Sequence, residues 1–188
     1  LTMLMDFYEL TMSNGYLKSG KKDTMVCFDM FFRKSPDGGG FAIAAGLEQL
    51  IEYMESIKFE ESDIEYLRSR GLFEEEFLTY LKDFKFTGSI SAIPEGTPVF
   101  PNEPMVTVTA KAIEAQFIET MLLLTINHQS LIATKSNRIV RAAQGRTVYE
   151  LGARRAHGYD AAIYGARAAY IGGVDGTATT VADTMFNI

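Results

Sequence analysis

Two arginines, an aspartate and a cluster of threonines gather near the end of the chain, where Thr147 to Asp183 reads TVYELGARRAHGYDAAIYGARAAYIGGVDGTATTVAD. Arg154 and Arg155 stand just past Gly152, Asp175 lies among glycines, and Thr177 and Thr179 follow closely. A guanidinium is planar and grips phosphate or carboxylate by two parallel bonds. A carboxylate bonds sugar hydroxyls or stabilises a neighbouring positive charge, and hydroxyls complete the set. Together these groups suit a phosphorylated, metal-chelating, hydroxyl-bearing sugar. Each also has a plainer use: a salt bridge to a helix face for either arginine, and a helix N-cap for Asp175.

The elements around them explain why they would meet. Thr147–Leu151 is β-branched and aromatic and predicts a buried strand, which Gly152 breaks. An alanine-rich helix is predicted over about Tyr159 to Tyr170. Ile171 to Gly176 predicts a second short strand with Asp175 at its end. A helix start follows Thr177, Thr179 and Thr180. Strand, charged loop, helix, strand, glycine-rich loop, helix is α/β grammar, in which ligands sit at the carboxyl ends of the strands.

Upstream, Asp6 is a candidate N-cap for a helix that directs Phe7, Leu10 and Met12 to a core and ends at Gly15 or Gly20. Tyr8 lies off that stripe. Val26–Arg33 reads as a strand with Phe28, Met30 and Phe32 on one face. Gly38, Gly39 and Gly40 follow Pro36-Asp37 as a turn; a phosphate cradle is the sharper but weaker alternative. Phe41–Gly46 is a buried segment. Acidic helices are predicted at 47–57, 61–67 and 74–84, with solvated faces. The segment 85–110 carries Pro94, Pro98, Pro101 and Pro104 and period-two alternation, and predicts a small antiparallel β unit. Glu114–Ala143 is helical, with Phe117, Met121, Leu124, Leu131 and Ile132 expected inside and a break expected at Asn127-His128. His128 is expected to be a buried, satisfied histidine. The stripe Lys135, Arg138, Arg141 is expected to be solvated. The fold class is α/β: an α+β N-terminal domain over 1–145, then the first strands of an irregular (β/α) barrel over 146–188.

The 188 residues are 47% hydrophobic and 22% charged, an ordinary globular composition. The net charge of −6 lacks the clustered basic surface of a nucleic-acid binder. Cys27 is the only cysteine, so no disulfide framework or thiolate metal site is possible, and a reducing, cytoplasmic compartment is expected. No apolar run reaches the ~18 residues of a membrane-spanning helix. No Gly-x-Gly-x-x-Gly follows a strand, which argues against a dinucleotide-binding domain. A closed barrel takes ~250 residues, so the chain is expected to be a fragment.

Several words together resemble the nicotinate phosphoribosyltransferase family. They are Asp6-Phe7-Tyr8-Glu9-Leu10-Thr11-Met12, Phe31-Phe32-Arg33, Phe41-Ala42-Ile43-Ala44-Ala45-Gly46-Leu47, and Pro94-Glu95-Gly96 with Phe100-Pro101. Leu131-Ile132-Ala133-Thr134-Lys135, Glu150-Leu151-Gly152-Ala153-Arg154-Arg155-Ala156 and Gly172-Gly173-Val174-Asp175-Gly176-Thr177 complete the ordered set. The likeness spans essentially the whole chain.

The resemblance implies a type II phosphoribosyltransferase with sites at the boundary of a homodimer. Such an enzyme joins nicotinate to 5-phosphoribosyl 1-pyrophosphate, giving nicotinate mononucleotide and pyrophosphate in NAD salvage. ATP hydrolysis is coupled through a phosphohistidine, so the enzyme counts as a ligase forming C–N bonds. That histidine's word lies beyond Ile188, and neither His128 nor His157 occupies such a word. The resemblance further implies that Arg154 clamps substrate, with Arg155 second, and that Asp175 bonds base or ribose. Tyr8 would contact nicotinate in the neighbouring subunit's pocket, with Asp6 beside it. Thr177 and Thr179 would bond ligand oxygens. Magnesium would arrive with the pyrophosphate substrate, without a protein cage. Alternatives are a nicotinamide- or quinolinate-using relative and a non-catalytic dimerising fragment.

Overall fold

A computed structural model describes residues 1–188. Along the chain run α1 (Phe7–Lys18), β1 (Met25–Met30), β2 (Ala42–Ile43), α2 (Leu47–Ser56), α3 (Glu61–Ser69), α4 (Glu75–Lys82), β3 (Ser89–Ala92) and β4 (Pro98–Val99). There follow β5 (Val106–Lys111), α5 (Ala112–Phe117), α6 (Glu119–Ala143), β6 (Tyr149–Glu150), α7 (Tyr159–Ile171), β7 (Gly176–Thr177) and α8 (Thr180–Phe186). This mixture of helices and small sheets agrees with the expected α/β class. The chain forms two interleaved units: 1–29, 48–91 and 106–123 make the first, and 30–47, 92–105 and 124–188 the second.

In the first unit, strands are ordered β1-β5-β3, and α3 packs on α4 and α1 on α5. Phe77, Phe117, Ile64, Leu67 and Leu81 are fully buried. Phe59, Phe84 and Phe117 meet edge to face, with centroids 5.1 to 5.9 Å apart. The acidic helices α2, α3 and α4 are amphipathic, burying Leu50, Ile64, Leu67, Phe77, Leu78 and Leu81 and exposing most of their charge. The first helix departs from its expected stripe. Leu10 is buried, but Phe7 and Met12 are exposed, while Glu9, Ser13 and Asn14 are buried. It runs through Gly15 and ends at Lys18, with Gly20 just beyond at φ +70°.

The β segments divide in a way alternation did not reveal. Pro98-Val99 leaves its neighbours to pair antiparallel with Ala42-Ile43, so Phe41–Gly46 is tied into a separate two-stranded sheet. Strand β1 stops at Met30, and Phe28 is exposed.

The second unit is organised by α6. The expected break at Asn127-His128 is absent: the helix runs unbroken there, and the interruption falls at Ile118, between α5 and α6. Leu124 and Leu131 are exposed rather than core. The buried face carries Ser130, Thr134 and Ser136 beside Ala133 instead. Small hydroxyls let the β2 backbone approach and then bond it: Ile43 N donates to Thr134 Oγ1 at 2.8 Å, and Ala45 N to Ser130 Oγ at 3.0 Å. Arg138 turns from the solvated stripe to Asp37 and to the carbonyls of Pro36 and Phe41. The glycine-rich turn is thereby closed on the protein's own arginine.

Glu95 links this unit's parts. Its Oε1 accepts from Gly46 N at 2.6 Å and Leu47 N at 3.0 Å, and its carboxylate forms a fork with Arg167 of α7 at 2.9 and 2.7 Å. Gly46 has φ +102°, and a Cβ there would lie 2.6 Å from the Thr125 carbonyl oxygen, so only glycine fits. Burial pushes the Glu95 carboxyl up, but the Arg167 bond and charge, with the two amides, outweigh it and hold the group below the usual range.

Two outcomes are expected. Phe117→Ala should cost about 3–5 kcal/mol, read by chemical denaturation. The stability from Glu95 is present above the ordinary glutamate pKa of about 4.3 and is lost as pH falls through the lower folded value. Glu95→Gln should therefore lower the melting temperature near neutrality and flatten its fall at acid pH.

Candidate functional site at the tips of two parallel strands

Strands β6 and β7 are parallel, with Tyr149 opposite Gly176 and Glu150 opposite Thr177. They are too short for a ladder to hold them, so flanking groups do so. Asp175 N donates to Val148 O at 2.8 Å and Ala178 N to Glu150 O at 2.9 Å. At the carboxyl edge, the Glu150 carboxylate accepts from Thr177 Oγ1 at 2.7 Å and from Gly152 N. Thr177 Oγ1 in turn accepts from Thr179 N at 3.0 Å. One carboxylate thus bridges both strand tips.

Beyond β6 the chain makes a 3₁₀ turn over Ala153–Arg155 and then enters α7 at Gly158, whose φ of +115° suits glycine. Between this turn, α6 and α7 lies a cavity of about 370 Å³. Glu150, Arg155 and His157 line it from the turn side, His128 and Ile132 from α6, and Gly165 from α7. His128 is half-buried and its Nε2 lies 3.3 Å from the Ala161 carbonyl oxygen, which assigns that nitrogen the proton. It is bonded, as expected, but half-buried in the cavity wall rather than buried. The cavity therefore offers a guanidinium, a carboxylate and two imidazoles, with apolar helix faces behind them.

The predicted residues are distributed as follows. Arg155, rather than Arg154, lines the cavity; Arg154 is exposed on the same turn. Asp175 is not at the end of a strand. Ile171 still belongs to α7 and Gly173 turns at φ +105°, so β7 begins only at Gly176, after Asp175. Asp175 therefore sits at the amino edge, opposite to the cavity, where its Oδ2 accepts from Val148 N at 2.7 Å. Neither Arg154 nor Asp175 lines this cavity. The Thr177 hydroxyl is engaged within the protein, and Thr179 occupies the N-cap position of α8 without a side-chain capping bond.

The first unit holds the other pair. Asp6 is at the N-cap of α1, again without a side-chain capping bond, and its N donates to Thr120 Oγ1 at 3.2 Å. Tyr8 is exposed, and its hydroxyl donates to Glu119 Oε1 at 2.8 Å. That bond, with burial and the nearby charges of Glu119, Glu9 and Asp6, pushes the phenol up to about 12. Tyr8 is a donor and an aromatic surface across the physiological range, and not a proton carrier.

Sequence reading missed Glu150, His128 and His157 as site residues. The available signal for Glu150 was a charged residue closing a strand two positions before a glycine.

Residues 3–127 match the family model described as the nicotinate phosphoribosyltransferase (NAPRTase) N-terminal domain. The chain is 46% identical over 186 residues to a nicotinate phosphoribosyltransferase of Mycobacterium tuberculosis, covering 99% of this chain and 40% of that protein. It is 44% identical to the Bacillus subtilis nicotinate phosphoribosyltransferase, covering 100% of this chain and 38% of that one. The crystal structure of human nicotinic acid phosphoribosyltransferase superposes with a TM-score of 0.90 at 30% identity, covering 97% of this chain and 37% of that one.

The match over most of the chain, with the mixed helix and sheet fold, places it among phosphoribosyltransferases. The chain belongs to the nicotinate phosphoribosyltransferase family. It spans about 40% of the length of these relatives.

Removing the bridging carboxylate should loosen both tips. Hydrogen bonds to a charged group contribute about 1.5–3 kcal/mol. Glu150→Ala should therefore speed amide exchange at Gly152 and Thr179 roughly tenfold or more, with the interior of α7 unchanged, as measured by hydrogen-exchange mass spectrometry.

Proposed function

We propose that the full-length protein is a nicotinate phosphoribosyltransferase acting in NAD salvage. It joins nicotinate to the magnesium complex of 5-phosphoribosyl 1-pyrophosphate, releasing nicotinate mononucleotide and pyrophosphate with coupled ATP hydrolysis. The observation that carries this reading is the cavity at the β6 tip, where Arg155 stands on a turn fixed by Glu150. It is supported by relatives of that name matching nearly the whole chain.

The displacement at the anomeric carbon builds positive charge on the sugar and negative charge on the leaving group. Arg155, with Arg154 on the same turn, holds the pyrophosphate or phosphate oxygens, and fixed cations of this kind lower the barrier where charge develops. Thr179 bonds a ligand oxygen. Thr177 and Asp175 act at one remove, Thr177 through Glu150 and Asp175 by tying the start of β7 to Val148. Tyr8 stacks on the pyridine ring in a homodimer with sites at the subunit boundary, and Asp6 fixes the start of its helix. Residues beyond the 188 complete the ATP site, so this chain alone is inactive. The barrel begins at 146, after an N-terminal domain over 1–145, and the compartment is the cytoplasm.

Nicotinate, 5-phosphoribosyl 1-pyrophosphate, ATP and magnesium should give nicotinate mononucleotide with the full-length protein and none with the 188-residue chain. Nicotinamide or quinolinate serving better than nicotinate would overturn the reading. Arg155→Ala should lower kcat/KM for 5-phosphoribosyl 1-pyrophosphate by about 10²–10³. Aromatic stacking contributes about 0.5–1.5 kcal/mol, so Tyr8→Ala should raise KM for nicotinate about two- to twelvefold.

A further inference from the structure

The helix interruption at Ile118 places two side chains next to the Tyr8 hydroxyl. Gln116 is in the last turn of α5 and buried; Glu119 opens α6 and is half-buried. The Gln116 amide donates to Glu119 Oε2 at 2.6 Å, while Glu119 Oε1 accepts the Tyr8 hydroxyl at 2.8 Å. Both carboxylate oxygens are thus used, one to orient the group and one to hold the phenol. The start of a helix also favours a carboxylate, because the unpaired amides there carry partial positive charge. Tyr8 remains 43% exposed despite being anchored at its hydroxyl. An exposed aromatic ring ordinarily samples several rotamers, and ordering it on binding costs free energy.

We propose that Glu119, oriented by Gln116, is a positioning residue that pre-sets the Tyr8 ring for stacking on a flat aromatic substrate. The inference rests on the reading that Tyr8 contacts the pyridine base and deepens it. With the ring already fixed at its hydroxyl end, less rotamer freedom is lost when the base arrives. The contribution falls on base affinity and leaves the bond-making step alone.

The test uses the full-length enzyme and four variants. Glu119→Ala should raise KM for nicotinate two- to tenfold, with kcat and KM for 5-phosphoribosyl 1-pyrophosphate within twofold of wild type. Glu119→Gln keeps a carbonyl acceptor and should restore KM to near the wild-type value. Tyr8→Phe should match Glu119→Ala, and the double variant should be no worse than either. A second readout is the Tyr8 phenol, followed by nuclear magnetic resonance with carbon-13-labelled tyrosine and identified by its loss in Tyr8→Phe. In wild type it should stay protonated well past pH 10. In Glu119→Ala, where partial burial and the weaker charges of Glu9 and Asp6 remain, it should titrate lower than in wild type, toward the ordinary tyrosine value of about 10.

If Tyr8→Ala raises KM for nicotinate but Glu119→Ala moves neither that KM nor the phenol, the positioning role is overturned and the Tyr8 reading stands. A Glu119→Ala protein that loses kcat and melting temperature without a nicotinate-specific change is also contrary to the proposal. If Tyr8→Ala leaves nicotinate KM unchanged, the Tyr8 reading falls and the positioning role falls with it.

Discussion

The fork between Arg167 and Glu95 is the interaction on which the second unit depends. A carboxylate with little exposure is costly unless every lone pair is used. Here the guanidinium takes both oxygens and the amides of Gly46 and Leu47 share one of them. The same guanidinium reaches Gln129 at 3.3 Å. One ion pair therefore joins the turn after β3, the start of α2, α6 and α7. The left-handed conformation at Gly46 is what aims two successive amides at one oxygen.

The remainder of that unit follows the same logic of hydroxyls and amides in place of bulky apolar side chains. Ser130 and Thr134 on α6 take up the unpaired backbone amides of Ile43 and Ala45. Such contacts need small residues, and Ala133 and Ala168 in the same cluster supply the close approach. A leucine-lined interface would have filled the volume and left those amides without partners. Along this stretch of α6, Leu124, Leu131 and Ile139 lie outward, while Ile126 is the large apolar side chain that is buried.

Much of the architecture was legible in the residues. The amphipathic helices α2, α3 and α4 and the alanine-rich α7 fall close to their expected bounds, because period and propensity agree there. The α1 stripe misled because its buried face includes Glu9, Ser13 and Asn14, which no apolar pattern reveals. The α6 break was sought at polar residues, whereas a helix carries Asn127 and His128 without strain; the real break, at Ile118, has no Gly or Pro to mark it. Pairing of Ala42-Ile43 with Pro98-Val99 joins residues over fifty positions apart, beyond any local signal. The site was read as a set of types in the right neighbourhood. Which of two adjacent arginines lines the cavity, and which edge Asp175 occupies, depended on where two-residue strands begin, the least legible feature of all.

The Glu150 bridge changes how this edge responds to a load. A carboxylate that holds Gly152 on one side and Thr177 on the other makes the two loops a single lever. Whatever draws the arginine turn inward tugs the start of α8 with it through Thr177 and Thr179. Gly152 and Thr177 therefore cannot part without one of them giving up its bond to the shared carboxylate.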